Sequence, residues 1–121
     1  MPDHFHLITQ SDNLSSIMRS IKSYSAKKII EELKKNKNEN LIKKFIVNKK
    51  QHKTSSTYQI WQEGFHPKII LTGKFLEQKV NYIHYNPVAK GLVEKPEDWK
   101  YSSYSHYYLN RDCFIKIVDF E

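Results

Sequence analysis

Apolar positions recur at helical spacing near the start of the chain: Leu14, Ile17, Met18, Ile21 and Tyr24, then Ile29, Ile30 and Leu33. This pattern predicts an amphipathic helix over about 13–35. Ser11, Asp12 and Asn13 supply N-cap chemistry in front of it. Before the helix, His4 to Thr9 reads as a strand. Asn36 to Asn40 is a turn, and 41–47 (LIKKFIV) a second short helix. Residues 48–56 (NKKQHKTSS) are polar and basic and read as a loop. The β-branched and aromatic run 57–62 (TYQIWQ) predicts a strand, Gly64 breaks it, and 66–71 reads as a second extended piece. Thr72 caps a helix from Gly73 to about Tyr85 with a core stripe of Leu76, Val80 and Ile83. Phe75, Lys79, Tyr82 and Asn86 form an adjacent stripe. Pro87 disfavours helical backbone at Asn86, so the helix is expected to end or bend there, and Pro87 can open a second short helix over 87–93. The tail carries Trp99, the run YSSYSHYY and a last strand candidate at 113–118.

The chain of 121 residues suits one domain, 1–121. Apolar residues are 39% of it and mean hydropathy is -0.70, yet 16 aromatics, eight of them Tyr, argue against disorder. No apolar run is long enough for a bilayer and no signal-peptide pattern is present, so no membrane partner and a cytoplasmic location are expected. The single Cys113 cannot form an internal disulfide and reads as a packing residue. The net charge is +7, and it is uneven. Residues 14–53 hold 12 of the 20 Lys and Arg against three acids, Glu31, Glu32 and Glu39. Such a block fits either a polyanion partner, most often nucleic acid, or a solvated helix face with a Lys-rich loop.

Three places could carry chemistry. On a strand, residues i and i+2 point the same way, so His4 and His6 project together and Phe5 goes into the core. A His pair on a rigid element is half of a divalent-metal site. Tyr82 carries a phenol, which ionises near pH 10 and is a poor nucleophile unless helped. A metal at the histidines could help by polarising a scissile phosphate and stabilising the leaving 3′ oxygen. Asn86 lies one helical turn beyond Tyr82 and could add an amide oxygen. Two histidines plus an amide oxygen with open positions suit Mg²⁺ or Mn²⁺ better than a closed zinc site. Each signal also has a plain explanation: a chance His pair, a packing tyrosine, a helix-terminating Asn before Pro. His52, His66, His84 and His106 have no partner at diagnostic spacing and read as surface or core packing, and Trp61 and Trp99 as core anchors.

Together the residues resemble the IS200-like (Y1, HUH-class) transposases, in the branch associated with repetitive extragenic palindromes. The resemblance rests on boxes in the family's order: MPDHFHL at Met1 to Leu7, MRSIKSYSAK at Met18 to Lys27, WQEGFH at Trp61 to His66, and YIHYNPVAKGLV at Tyr82 to Val93. PEDWKYSSY follows at Pro96 to Tyr104. The resemblance implies an α+β, partial ferredoxin-like fold, an antiparallel sheet with helices on one face. It implies metal-dependent cleavage and rejoining of single-stranded or hairpin DNA through a 5′-phosphotyrosine. Tyr82 matches the nucleophile, and His4 and His6 the metal ligands. Asn86 falls where the wider family places a polar third ligand, commonly Gln, which is longer by one methylene. Arg19, Lys22, Lys27, Lys28, Lys49, Lys50 and Lys53 would track DNA phosphates. His66 would be structural or DNA-facing.

In the family a strand, a helix and another strand precede the HUH strand, whereas here Met1 opens that box. The expectation is therefore an N-terminally short domain with an exposed strand edge, for which a homodimer that rebuilds the sheet is one escape. The rival to an active enzyme is a catalytically inactive DNA-binding remnant. A third reading is a structural or regulatory module whose family residues are fold relics.

Overall fold

A computed structural model describes residues 1–49 and 57–117. Among the described residues every regular element is helical. They are α1 (Leu14–Lys35), α2 (Glu39–Val47), α3 (Gly73–Ala89), a 3-10 turn at Pro96–Asp98, and α4 (Tyr104–Leu109). The α+β, partial ferredoxin-like expectation is thereby corrected, because no strand occurs among them. Residues 4–9, 57–62 and 66–71 run as irregular chain, and 114–115 bend. The reason is physical: a strand exists only within a ladder, and alternating or β-branched sequence does not make one without a paired neighbour. No helix among the described residues is long and apolar enough to cross a membrane.

The chain divides into two compact units, Gln10–Pro67 and Met1–Thr9 with Lys68–Glu121. In the first, α1 buries Met18 and Ile30 and half-buries Leu14, Ile21, Ile29 and Leu33 between them. Ile17 and Tyr24 face outward instead, 37% and 67% exposed. α1 and α2 form a helical hairpin. The Asn38 side chain caps α2 by accepting from the Leu41 N–H at 3.3 Å, which starts the helix two residues before the apolar pattern does. Residues 57–64 are tied down by four bonds. Gln59 N–H donates to the Phe45 carbonyl at 2.9 Å, and Trp61 Nε1 donates to Ser25 Oγ at 2.9 Å. The Lys22 ammonium donates to the carbonyls of Gln62 and Gly64, the latter at 2.7 Å.

In the second unit Thr72 caps α3 by accepting from the Phe75 N–H at 3.2 Å. The helix then runs through Pro87 to Ala89. This corrects the expected break at Asn86 and the separate helix after it. Pro87 forfeits its own bond to the Ile83 carbonyl, and the turn after it is held by the Lys90 N–H donating to the Asn86 carbonyl at 3.0 Å. The Pro87 carbonyl accepts from the Leu92 N–H at 2.9 Å, and Val88 accepts from Gly91 at 2.8 Å, which is a Schellman ending. Gly91 takes the left-handed position at φ 66. α1 ends the same way. Asn38 donates to Leu33 at 2.9 Å and Lys37 to Lys34 at 3.1 Å, but here Lys37 occupies the left-handed position at φ 53. A Cβ at that conformation costs about 1 kcal/mol. Opposite effects are therefore expected in chemical denaturation. Gly91→Ala lowers stability by about 1 kcal/mol, and Lys37→Gly raises it by somewhat less, because glycine also loosens the unfolded chain.

His84, on α3, is 1% exposed. Its Nε2 is hydrogen-bonded to Ser103 Oγ at 2.8 Å, and Tyr104, Tyr107 and Tyr108 surround the ring at 5.6, 6.1 and 5.8 Å between centroids. Nδ1 has no hydrogen-bond partner among the described residues. Burial lowers the His84 pKa from 6.5, since nothing compensates the charged form. The unfolded chain thus takes up a proton there that the folded chain refuses. This contribution to stability is complete above 6.5 and is lost as pH falls below it. The denaturation midpoint should drop between pH 7 and 5, and His84→Gln should flatten that slope.

Candidate active site

The site is built within the second unit by Met1–Thr9 and α3. The rings of His4 and His6 lie 5.0 Å apart at 90°. The two histidines do come together as the i, i+2 spacing suggested, although on irregular chain rather than a strand. Phe5, between them, is 40% exposed, so it is not the buried plug expected.

Each histidine has one ring nitrogen fixed by a neighbour. His4 Nδ1 donates to Asp3 Oδ1 at 2.6 Å, and this hydrogen bond is the main cause that lowers the Asp3 pKa. A carboxylate on Nδ1 sets the tautomer that leaves the Nε2 lone pair outward, as in carboxylate–histidine pairs behind metal ligands. At His6, Nε2 accepts from Asn86 Nδ2 at 2.7 Å. The His6 pKa is lowered, first by burial, then by the charges of His4 and the N-terminus. Both effects favour a neutral ring, the form that binds a metal or accepts a hydrogen bond.

α3 delivers the rest. Asn86 is 6% exposed and reaches His6, while Tyr82, one turn earlier, is 57% exposed with its ring 5.7 Å from that of His6 at 80°. The stripe read from the sequence is therefore real. The same stripe continues backward: Lys79 Nζ sits 5.7 Å from the Tyr82 ring centre and 4.8 Å from that of Phe75. The sequence reading placed Lys79 on this stripe but gave it no role. Asp3 was also passed over, although its position beside His4 was the available signal.

Among the described residues no three His, Cys, Asp or Glu side chains cluster to hold a metal. Any ion here draws on His4, His6 and an amide. An amide oxygen would enter that set only by a half-turn of the Asn86 side chain, because its NH₂ now faces His6.

The basic residues lie in the other unit and divide by what they already do. Arg19, Lys27 and Lys28 are exposed on α1, with Lys28 paired to Glu31 at 2.8 Å and Lys27 at 4.0 Å. Lys22 is spent on the two carbonyls of the 57–64 segment, a structural role the charge pattern alone could not reveal. Lys49 is half-buried, and Lys50 and Lys53 lie outside the described residues. His66 is exposed.

Against known proteins, the chain is 32% identical over 108 residues to a Haemophilus influenzae protein assigned as a REP-associated tyrosine transposase. The match covers 86% of this chain and 54% of that protein, so the chain spans about half the length of the curated relative it matches. No family model and no solved structure matches the chain.

Proposed function

From the REP-associated, IS200-like transposase family, to which the chain belongs by sequence, we propose that it cleaves and rejoins single-stranded DNA beside a hairpin through Tyr82. The carrying observation is that one face of α3 sets Tyr82 and Asn86 against His6. In the proposed step Tyr82 Oη bonds to the phosphorus and loses its proton. The bond from phosphorus to the 3′ oxygen breaks, and that oxygen leaves and is protonated. The 5′-phosphotyrosine keeps the ester energy, so a second 3′ hydroxyl can reverse the step on another strand.

His4, His6 and the amide oxygen of Asn86 would hold a divalent ion, Mg²⁺ or Mn²⁺, which would supply Lewis acidity toward the phosphate. Around that position the chain's own groups have defined tasks. Asp3 orients His4, and the His6 ring lies 5.7 Å from that of Tyr82 at 80°. The exposed cations of α1, Arg19, Lys27 and Lys28, are proposed to contact the phosphate backbone.

One observation favours a second reading, a DNA-binding remnant without chemistry. The Asn86 amide already occupies the His6 Nε2 lone pair that a metal would need. The deciding experiment is a denaturing gel of the chain with labelled single-stranded hairpin DNA and Mn²⁺. A covalent protein–DNA band supports the transposase chemistry. Salt-sensitive retention of DNA on a native gel, without that band, supports the remnant.

A further inference from the structure

We propose that Lys79 is a phosphate-binding residue of the Tyr82 site, its ammonium contacting the DNA phosphate that the tyrosine attacks. This rests on the cleavage reading above and adds a residue that neither the sequence motifs nor the relative assigns.

Lys79 precedes Tyr82 by three residues on α3, so both project from one face. Its Nζ lies over two rings, 4.8 Å from the centre of Phe75 and 5.7 Å from that of Tyr82. The aliphatic stem is thus braced along the helix, and the charge is held beside the nucleophile. Lys79 is half-buried, and among the described residues no carboxylate lies within ion-pair distance of it. By contrast, Lys22 donates to two backbone carbonyls and Lys28 pairs with Glu31. At Lys79 the rings supply only their faces, which attract a cation without neutralising it.

Tyr82 is 57% exposed, so a DNA strand can reach it. A phosphate brought to Tyr82 comes to a ring flanked by the imidazole of His6 and the ammonium of Lys79. Charge on the non-bridging oxygens grows as the phenol oxygen adds and the 3′ oxygen departs, and a fixed cation there lowers the barrier. A lysine suits this position because it acts as a point charge on a flexible stem.

The test measures two quantities on the full chain. The first is the single-turnover rate of covalent adduct formation at saturating labelled hairpin DNA with Mn²⁺. The second is the salt dependence of affinity for the same DNA by fluorescence anisotropy. Lys79→Met keeps an unbranched apolar side chain but removes the charge, and Lys79→Arg keeps the charge. Lys79→Met should slow adduct formation about 10- to 100-fold at saturation. It should also reduce the slope of log affinity against log salt by about 0.7, one phosphate contact on a single strand. Lys79→Arg should stay within about fivefold of the parent chain. An adduct-forming parent with rate and slope unchanged in Lys79→Met overturns the proposal and leaves the Tyr82 reading standing. Lys79→Arg as slow as Lys79→Met overturns it too, since shape rather than charge would then matter. If the parent forms no adduct, the Tyr82 reading fails and the slope alone decides. A loss of about 0.7 keeps Lys79 as a phosphate contact, and no loss removes it.

Discussion

Tyr82→Phe should abolish the covalent protein–DNA adduct, by more than about 10⁴-fold in rate, while leaving the fold and the affinity for DNA nearly unchanged. The substitution removes one oxygen from a side chain that is 57% exposed, and leaves its ring against His6 and beneath Lys79. Its stability cost should stay within about 0.5 kcal/mol, as for most surface changes. The control is Tyr85→Phe. Tyr85 is 52% exposed on the same helix, but its ring neighbours that of Tyr104, 6.5 Å away. Adduct formation should survive there. An adduct that persists in Tyr82→Phe and vanishes in Tyr85→Phe would move the nucleophile by one turn of α3.

The second large effect concerns the two histidines, which should behave alike toward metal and differently toward stability. Removing even an outer-shell partner of a metal ligand costs about 10- to 100-fold in affinity. His4→Ala or His6→Ala should therefore weaken Mn²⁺ binding by at least that much in calorimetry, and adduct formation with it. Their folds should part company. The His4 side chain is 46% exposed and bonds only the adjacent Asp3, so His4→Ala should cost little. His6→Ala strips the acceptor from the Asn86 amide, which is 6% exposed, and an unsatisfied buried amide costs about 1–3 kcal/mol. Equal denaturation midpoints for the two variants would show that the Asn86–His6 bond contributes nothing to the fold.

Much of the helical framework was legible in the sequence. The apolar spacing from Leu14 to Leu33 gave α1 to within a residue at either end, and Thr72 marked the start of α3. The site was legible for a different reason. Tyr82 and Asn86 share a face through the helical period of α3, whereas His4 and His6 come together although the strand period that suggested it does not apply to residues 4–9. The segments 4–9, 57–62 and 66–71 misled because strand formation is a property of pairs, and β-branched residues record only a willingness to pair. Pro87 misled because the bias it puts on Asn86 is a tendency, which the bonds closing the helix at Lys90, Gly91 and Leu92 override. α4 passed unnoticed because its six residues are mostly Tyr and Ser, with no apolar stripe. They are helical because their rings pack around His84, a partner 20 or more residues away in the chain.

The Asn86–His6 bond joins residues 80 apart in sequence. It anchors a nine-residue segment that has no ladder to hold it. Such a segment opens at low free energy, so the docked arrangement is one population among others. Whatever ligand bridges His4, His6 and Asn86 must first select that population. Its measured affinity is then the intrinsic affinity multiplied by the docked fraction. The same coupling runs in reverse: an ion bound there would act as a clasp on the first residues of the chain. Hydrogen exchange at residues 4–9 should therefore slow in step with metal saturation, which makes the backbone of this segment a gauge of occupancy that needs no catalysis.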